Sequence, residues 1–315
     1  MSVLLALDVG LALLVFAVAA WTVFAPGAFA ATVGYVVYGL LLSLVWIRLF
    51  AVDVALTEAA IGSGVTGVLL IGAAARLRRA GTTTAEETPS GSTRLFAACL
   101  CLLVSAALAG VVLLLPDQGP TLAPQAMERL PETGLGNPVT AVLIAYRSFD
   151  TVLEKVVLVL AVVGVWSLAA DRYWGGAPGE ARAERPEPTL AFFAQVLAPV
   201  GILVGVHVFW VGADEPGGAF QGGAILAAMW MILMMARLTE APQSNAFWLR
   251  LALIAGPVVF LAAGVAGVAV AGGFFAYPSG LAKPIILFIE TFMTFTIAVT
   301  LAMLVAGPPR REPRQ

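Results

Sequence analysis

Charge is what this chain has least of: Asp, Glu, Lys and Arg together make up 11% of its 315 residues. Soluble domains carry roughly a quarter, so this composition cannot build an ordinary water-facing surface. Sulfur and imidazole ligands are scarce as well, with two cysteines and one histidine. Cys99 and Cys101 sit two apart in an apolar run and point in different directions on a helix. That spacing is neither a disulfide framework nor a metal site, and no metal or cofactor is expected. There is no basic stripe with interleaved aromatics, and a net charge of −2 leaves no case for nucleic acid. Residues 1–8 lack the basic segment of a secretory signal peptide, so the first apolar run reads as a retained span.

What is present is apolar. Hydrophobic residues make up 60% of the chain and the mean hydropathy is +0.96. Apolar runs of about 20 residues recur, the length needed to cross roughly 30 Å of hydrocarbon. They fall at 3–24, 28–49, 54–75, 95–115, 150–170, 191–211, 220–237, 248–271 and 284–305. Helices are the default there, because an open strand in lipid leaves backbone groups unpaired. The fold class predicted is all-α: a polytopic integral membrane protein of about nine transmembrane helices. Basic residues set its orientation. Arg76, Arg78, Arg79 and Arg94 flank one loop, and Arg172, Arg182 and Arg185 occupy a second. Arg237 and Arg250 bound a third, and Arg310, Arg311 and Arg314 form the tail. Nine spans put all four segments on one side, which predicts an N-out, C-in topology.

Two polar stretches interrupt the pattern. Residues 80–93 (AGTTTAEETPSGST) read as a flexible cytoplasmic loop. Residues 174–189 (WGGAPGEARAERPEPT) are rich in Pro, Gly and charge. They divide a five-helix domain, 1–175, from a four-helix domain, 190–315, with 176–189 as the cytoplasmic linker. Residues 116–138 read as a long external loop placed on the membrane surface or against a partner. The stretch 139–170 would be about 48 Å long as one helix, longer than the bilayer core. Either its first part is a separate short helix or the helix breaks near Ser148, and the break is the favoured reading.

Ionisable residues inside spans cost about 2.5–3.5 kcal/mol on insertion scales and usually face protein or water. Glu58, about a turn and a half into the third span, is a candidate proton-exchanging carboxyl. The bland alternative is a carboxyl that only bonds a neighbouring helix. Arg147, Asp150 and Glu154 are spaced i, i+3, i+7, one face if the helix is continuous. With Lys155 beside them they form either a neutralising cluster at a helix break or part of a proton or cation relay. Lys155 would be the switchable base. Lys283 and Glu290 lie seven apart at the start of the last span; Lys283 can snorkel to the interface, whereas Glu290 is deeper. His207 is read as a packing or interfacial histidine ahead of a proton shuttle. Asp53 opens the third span. Asp214 and Glu215 lie in a glycine-rich turn at 212–223 and could attract cations at the mouth of a path.

Three of these segments resemble subunits of the Mrp-type cation/proton antiporters and the related membrane-bound hydrogenases. Residues 53–64 (DVALTEAAIGSG) look like the signature of the MbhD-like domain, found also near the C-terminus of MrpA. Residues 137–154 (NPVTAVLIAYRSFDTVLE) look like the MbhE-like segment that follows it. Residues 215–223 (EPGGAFQGG) are similar to the characteristic turn of MrpB-type subunits. Leu153 stands where the second pattern usually has glycine, and Lys155 follows its acid. The resemblance implies a multi-pass subunit of a complex I-like assembly in a prokaryotic cytoplasmic (inner) membrane. Its partners would be other Mrp-like subunits, including large antiporter-like ones, and it would contribute to exchange of a cation, sodium foremost, for protons. It implies a transporter subunit rather than an enzyme. A redox-driven pump, an inorganic-carbon uptake system and a scaffold without its own ion path are the alternatives.

Overall fold

The computed structural model describes residues 3–79, 90–115, 121–179 and 187–312, and the described residues contain helices and no strand. In chain order these are α1 (Val3–Phe24), α2 (Ala28–Arg48), α3 (Val52–Thr57), α4 (Thr66–Arg79), α5 (Gly91–Leu114), α6 (Ala123–Thr133), α7 (Pro138–Ala141), α8 (Ser148–Trp166), α9 (Pro188–Val211), α10 (Ala219–Met235), α11 (Phe247–Ala271) and α12 (Ala282–Ala306). Each of the nine expected spans is helical. Seven are long and apolar enough to cross a membrane, with α3 and α4 forming one continuous rod. The eighth, α10, is apolar but only 17 residues long. The ninth, α8, has 19 residues and carries Asp150, Glu154 and Lys155. The four basic segments are only partly visible, because Arg182, Arg185, Arg314 and most of the 80–93 loop lie outside the described residues.

The N-terminal helices are held by very little. α1 and α2 pack as a hairpin in which Gly34 sits against Trp21 and Thr22. Asp8 and Arg48 close its open end with a two-pronged pair, 2.7 and 3.2 Å. Each helix's charge is thereby neutralised by the other in an exposed pair, which is how apolar helices tolerate such residues. α5 has no buried residue. It is apolar on every side, so only lipid or another chain can cover it.

Residues 116–138, expected as a loop, contain α6. Ala123, Met127 and Leu130 recur at helical spacing against a polar face. Pro124 is tolerated in the first turn, where its missing N–H would have no partner anyway. Residues 116–120 lie outside the described residues.

The overlong stretch is broken as favoured. α7 leads into a π-helical segment, Val142–Tyr146, and the chain turns at Arg147 (φ −129°, ψ 39°) before α8 begins. A break inside a hydrophobic layer frees carbonyls that need donors, and side chains supply them. Thr151 Oγ1 donates to Leu143 O at 2.7 Å, and Tyr277 Oη donates to Ile144 O at 2.9 Å. Ser148 Oγ also donates to Ile144 O. Tyr277 lies in the α11–α12 connection, and burial pushes its phenol up to about 12 despite the opposing Ser148 contact, so it stays a donor.

The centre of the molecule is α12. Two thirds of its most apolar stretch is buried (67%), against 0% for α1 and α5. It packs on α10, α11 and α8, so α8, the last helix before the polar linker, lies among helices that follow it. Thr296 is the clearest device here: its hydroxyl donates to Ala252 O at 2.7 Å and accepts from Gly256 N at 2.9 Å. Both partners lie on α11 just before Pro257, which breaks that helix's own ladder. At the other end of the bundle Pro178 pairs with Pro309 in a short antiparallel contact, and Arg311 donates to Pro178 O at 2.9 Å. Ser244 N donates to Gly176 O at 2.8 Å. The start of the linker, the α10–α11 connection and the tail therefore meet at one end.

Thr296→Val keeps the shape of the side chain and removes both interhelical bonds. Thermal unfolding of the purified chain in detergent is expected to show a loss on the order of 1 kcal/mol, the usual size for a hydrogen bond between membrane helices.

Candidate functional site

The site is assembled at the end of the bundle opposite the linker and tail, where three distant segments share one set of polar atoms. Asp53, in the first turn of α3, accepts a hydrogen bond from Gly217 N at 2.9 Å and a longer one from Asn137 Nδ2 at 3.5 Å. Asn137 is the N-cap of α7, its Oδ1 accepting from Val139 N at 2.8 Å, while its amide donates to Glu215 O at 2.9 Å. Thr140 Oγ1 donates to Gly212 O at 2.6 Å. Gln221, in the first turn of α10, donates to Asp53 O at 3.3 Å and to Thr57 Oγ1 at 3.1 Å. Gly218 can enter α10 from this turn because its φ of 122° is open to glycine.

Beneath this lattice lies a cavity of about 280 Å³. Asp53 and Thr57, Thr140 and Thr151, Glu154 and Lys155, Gly217–Gln221, and Glu290 with Met293 all line it. Lys155 is buried, with a side chain 5% exposed, and its ammonium is 2.6 Å from Glu154 Oε1. The same nitrogen lies 4.7 Å from the centre of the Phe220 ring, in cation–π range. Glu154 itself is 47% exposed, so the buried cation has a half-exposed partner. Glu290 is buried at 3% exposure, and the Ala219 N–H at the start of α10 donates to its carboxylate. Glu290 Oε2 has no hydrogen-bond partner among the described residues.

The structure thus brings Asp53, Glu154, Lys155 and Glu290 together and distributes the other expected residues around them. Glu58 heads a second π-helical segment, Glu58–Val65, and its carboxylate turns toward Gly62 and α2. A β-carbon at Gly39 of α2 would stand 3.2 Å from Glu58 Oε1. Beside it, the buried Ser63 hydroxyl has no partner among the described residues. Glu58 is one residue from Thr57 yet not in the cavity wall. Arg147 and Asp150 form an exposed pair, and the turn at Arg147 takes both off the cavity. Lys283 pairs with both oxygens of Asp214 at 2.7 Å rather than with Glu290. Glu215 enters the lattice only through its backbone carbonyl, and His207 is exposed on α9. Among the described residues no three His, Cys, Asp or Glu side chains converge to hold a metal ion.

Asn137, Thr57, Thr140 and Gln221 were not singled out from the sequence. A signal was available, because an amide in an apolar helix is costly unless it is bonded. Asn137 and Gln221 both lie inside the segments that resemble known subunits.

Comparison with known proteins matches two separate stretches of the chain. Residues 13–79 match the family model MbhD, a component of MBH, and residues 189–307 match "Domain related to MnhB subunit of Na+/H+ antiporter". An uncharacterized protein of Methanocaldococcus jannaschii is 27% identical over 157 residues, covering 45% of this chain and 59% of that protein. One chain of the Mrp complex from Dietzia sp. DQ12-45-1b has the same fold over 97% of this chain, with a TM-score of 0.72 and 21% identity. This chain spans 35% of that one. A chain of the membrane-bound sulfane sulfur reductase, an archaeal respiratory membrane complex, matches 68% of this chain and 96% of its own length, with a TM-score of 0.57 and 24% identity.

The lattice makes a specific demand on Asp53. Asp53→Ala deletes the acceptor of the Gly217 amide and should speed its hydrogen exchange by roughly tenfold to a hundredfold, as for other hydrogen bonds to charged groups. Asp53→Asn keeps an acceptor oxygen and should change the exchange rate far less.

Proposed function

We propose, for a chain that joins an MbhD-type segment to an MnhB-related domain, that it is a membrane component of a multisubunit Mrp-like cation/proton antiporter. It is a transporter subunit rather than an enzyme. The observation that carries this reading is the cavity. It places a buried lysine and two carboxylates, Glu154 and Glu290, in the wall of one pocket of an otherwise apolar bundle. Ionisable groups at that depth are expensive and mark ion paths by default. Sodium and protons are the proposed cargo, because residues 189–307 are related to the MnhB subunit of a Na+/H+ antiporter.

With the N-terminus outside and the C-terminus inside, the cavity lies toward the outer end of the bundle. Asp214, Glu215 and Lys283 then stand at its mouth. Glu154 and Glu290 lie six and eight residues inside their helices, about 9–12 Å deep at 1.5 Å per residue. Glu58, beyond Thr57 and facing α2, is the proposed continuation of the path toward a neighbouring subunit. Two helices support a place within a larger assembly, since α1 and α5 bury none of their residues. The inner membrane of a prokaryote is the proposed location.

A redox-driven respiratory complex is the second reading, favoured by the likeness in fold to a chain of the sulfane sulfur reductase. Co-purification decides between the two, since redox subunits in the purified assembly exclude a plain antiporter. For either reading, cation-dependent proton movement in inverted vesicles should fall at least about tenfold in Glu290→Gln, with the complex still assembled. Unchanged transport in Glu290→Gln and Glu58→Gln at every pH would remove these residues from the path and leave a scaffold.

A further inference from the structure

The carboxylates around the cavity are not equally satisfied. Asp53 is engaged by the Gly217 and Asn137 donors, and Glu154 by the Lys155 ammonium. Glu290 has the Ala219 N–H, and its Oε2 faces no partner among the described residues although the residue is 3% exposed. One buried carboxylate is therefore left without a counter-charge. Neutral oxygens of Thr57 and Gln221 line the same cavity. A β-carbon placed on Gly218 would be 3.5 Å from Glu290 Oε1 and 3.6 Å from Gln221 Oε1, so the glycine leaves open a space that both oxygens face. Gln221 in turn holds Thr57 Oγ1 at 3.1 Å, and Thr57 lines the same cavity.

One unpaired carboxylate with neutral oxygens suits a single positive charge. A divalent ion would require several carboxylates or retained waters, and although Asp53, Glu154 and Glu290 line the cavity, no three acids among the described residues are placed to hold one metal ion. Lys155 already supplies one cation to the same cavity. Its stem is flexible, its ring contact with Phe220 is weak beside an ion pair, and its partner Glu154 is half-exposed rather than sealed around the ammonium.

We infer that the cavity binds one small monovalent cation at Glu290, Gln221 and Thr57, and that the Lys155 ammonium is a tethered competitor for Glu290. Lys155 rests on Glu154 in this structure; it can turn from there to Glu290 when no ion is bound, and a bound ion keeps it on Glu154. The inference rests on the ion-path reading of the cavity and adds the site and the competitor.

The test is equilibrium binding of radioactive sodium ion to the full chain in lipid nanodiscs, with choline as the inert cation and monodisperse elution as the folding control. Lys155→Met removes the competitor and should tighten sodium binding by about tenfold. Glu154→Gln removes the resting place of Lys155 and should weaken it by a similar factor, whereas Glu290→Gln should abolish saturable binding. Lys155→Gln repeats the first arm if the methionine variant does not yield folded protein. Shifts in the same direction for the Lys155 and Glu154 variants, no shift in either, or saturable binding that survives Glu290→Gln would overturn the inference. Because this readout is binding by the chain itself, failure of transport in the assembled complex with binding intact counts against the transport reading alone.

Discussion

The Asp53 carboxylate is the contact on which the arrangement depends. It receives the Gly217 amide and the Asn137 side chain, and so joins the start of α3, the cap of α7 and the turn before α10. These positions are 84 and 164 residues from Asp53 in the chain. In a bilayer core no water is available to complete an unpaired group, so a broken helix and an open turn survive only where each satisfies the other. Asn137 serves both, with one amide atom on α7 and the other on Glu215 O. The cavity exists because these irregular segments meet there.

The same logic explains the two π-helical segments. A π turn widens the helix and displaces backbone groups from their usual partners, and such turns are common at functional sites. Here one begins at Glu58 and the other ends one residue before Arg147. The second frees carbonyls that Ser148, Thr151 and Tyr277 then bind. The first turns Glu58 toward α2, while Thr57, one residue earlier, faces the cavity. Adjacent residues thus serve different sides of the helix.

Electrostatics divides the acids by their partners. Surface pairs such as Arg147–Asp150 and Lys283–Asp214 are exposed and contribute little. Lys155 and Glu290 are buried in one pocket, where an unmatched charge costs far more. That contrast singles out the pocket among the several charged sites along the chain.

Much of the fold was legible in the sequence. Lengths of apolar runs fixed by bilayer thickness located all nine expected helices to within a few residues, and the charge at the middle of 139–170 marked the break at Arg147. α6 was missed because its two prolines and polar face mask a three-turn amphipathic pattern. The candidate site was legible as residue types and not as a site. Glu154, Lys155, Glu290 and Asp53 could be named from their cost in lipid, yet nothing in linear order places Glu290 beside Lys155 or takes Glu58 out of the same pocket. Burial cost is a property of each residue and its local run, so sequence carries it. Which polar atoms complete one another is decided by helix packing, here by α12 at the centre and by the lattice around Asp53, and only the tertiary structure holds that information.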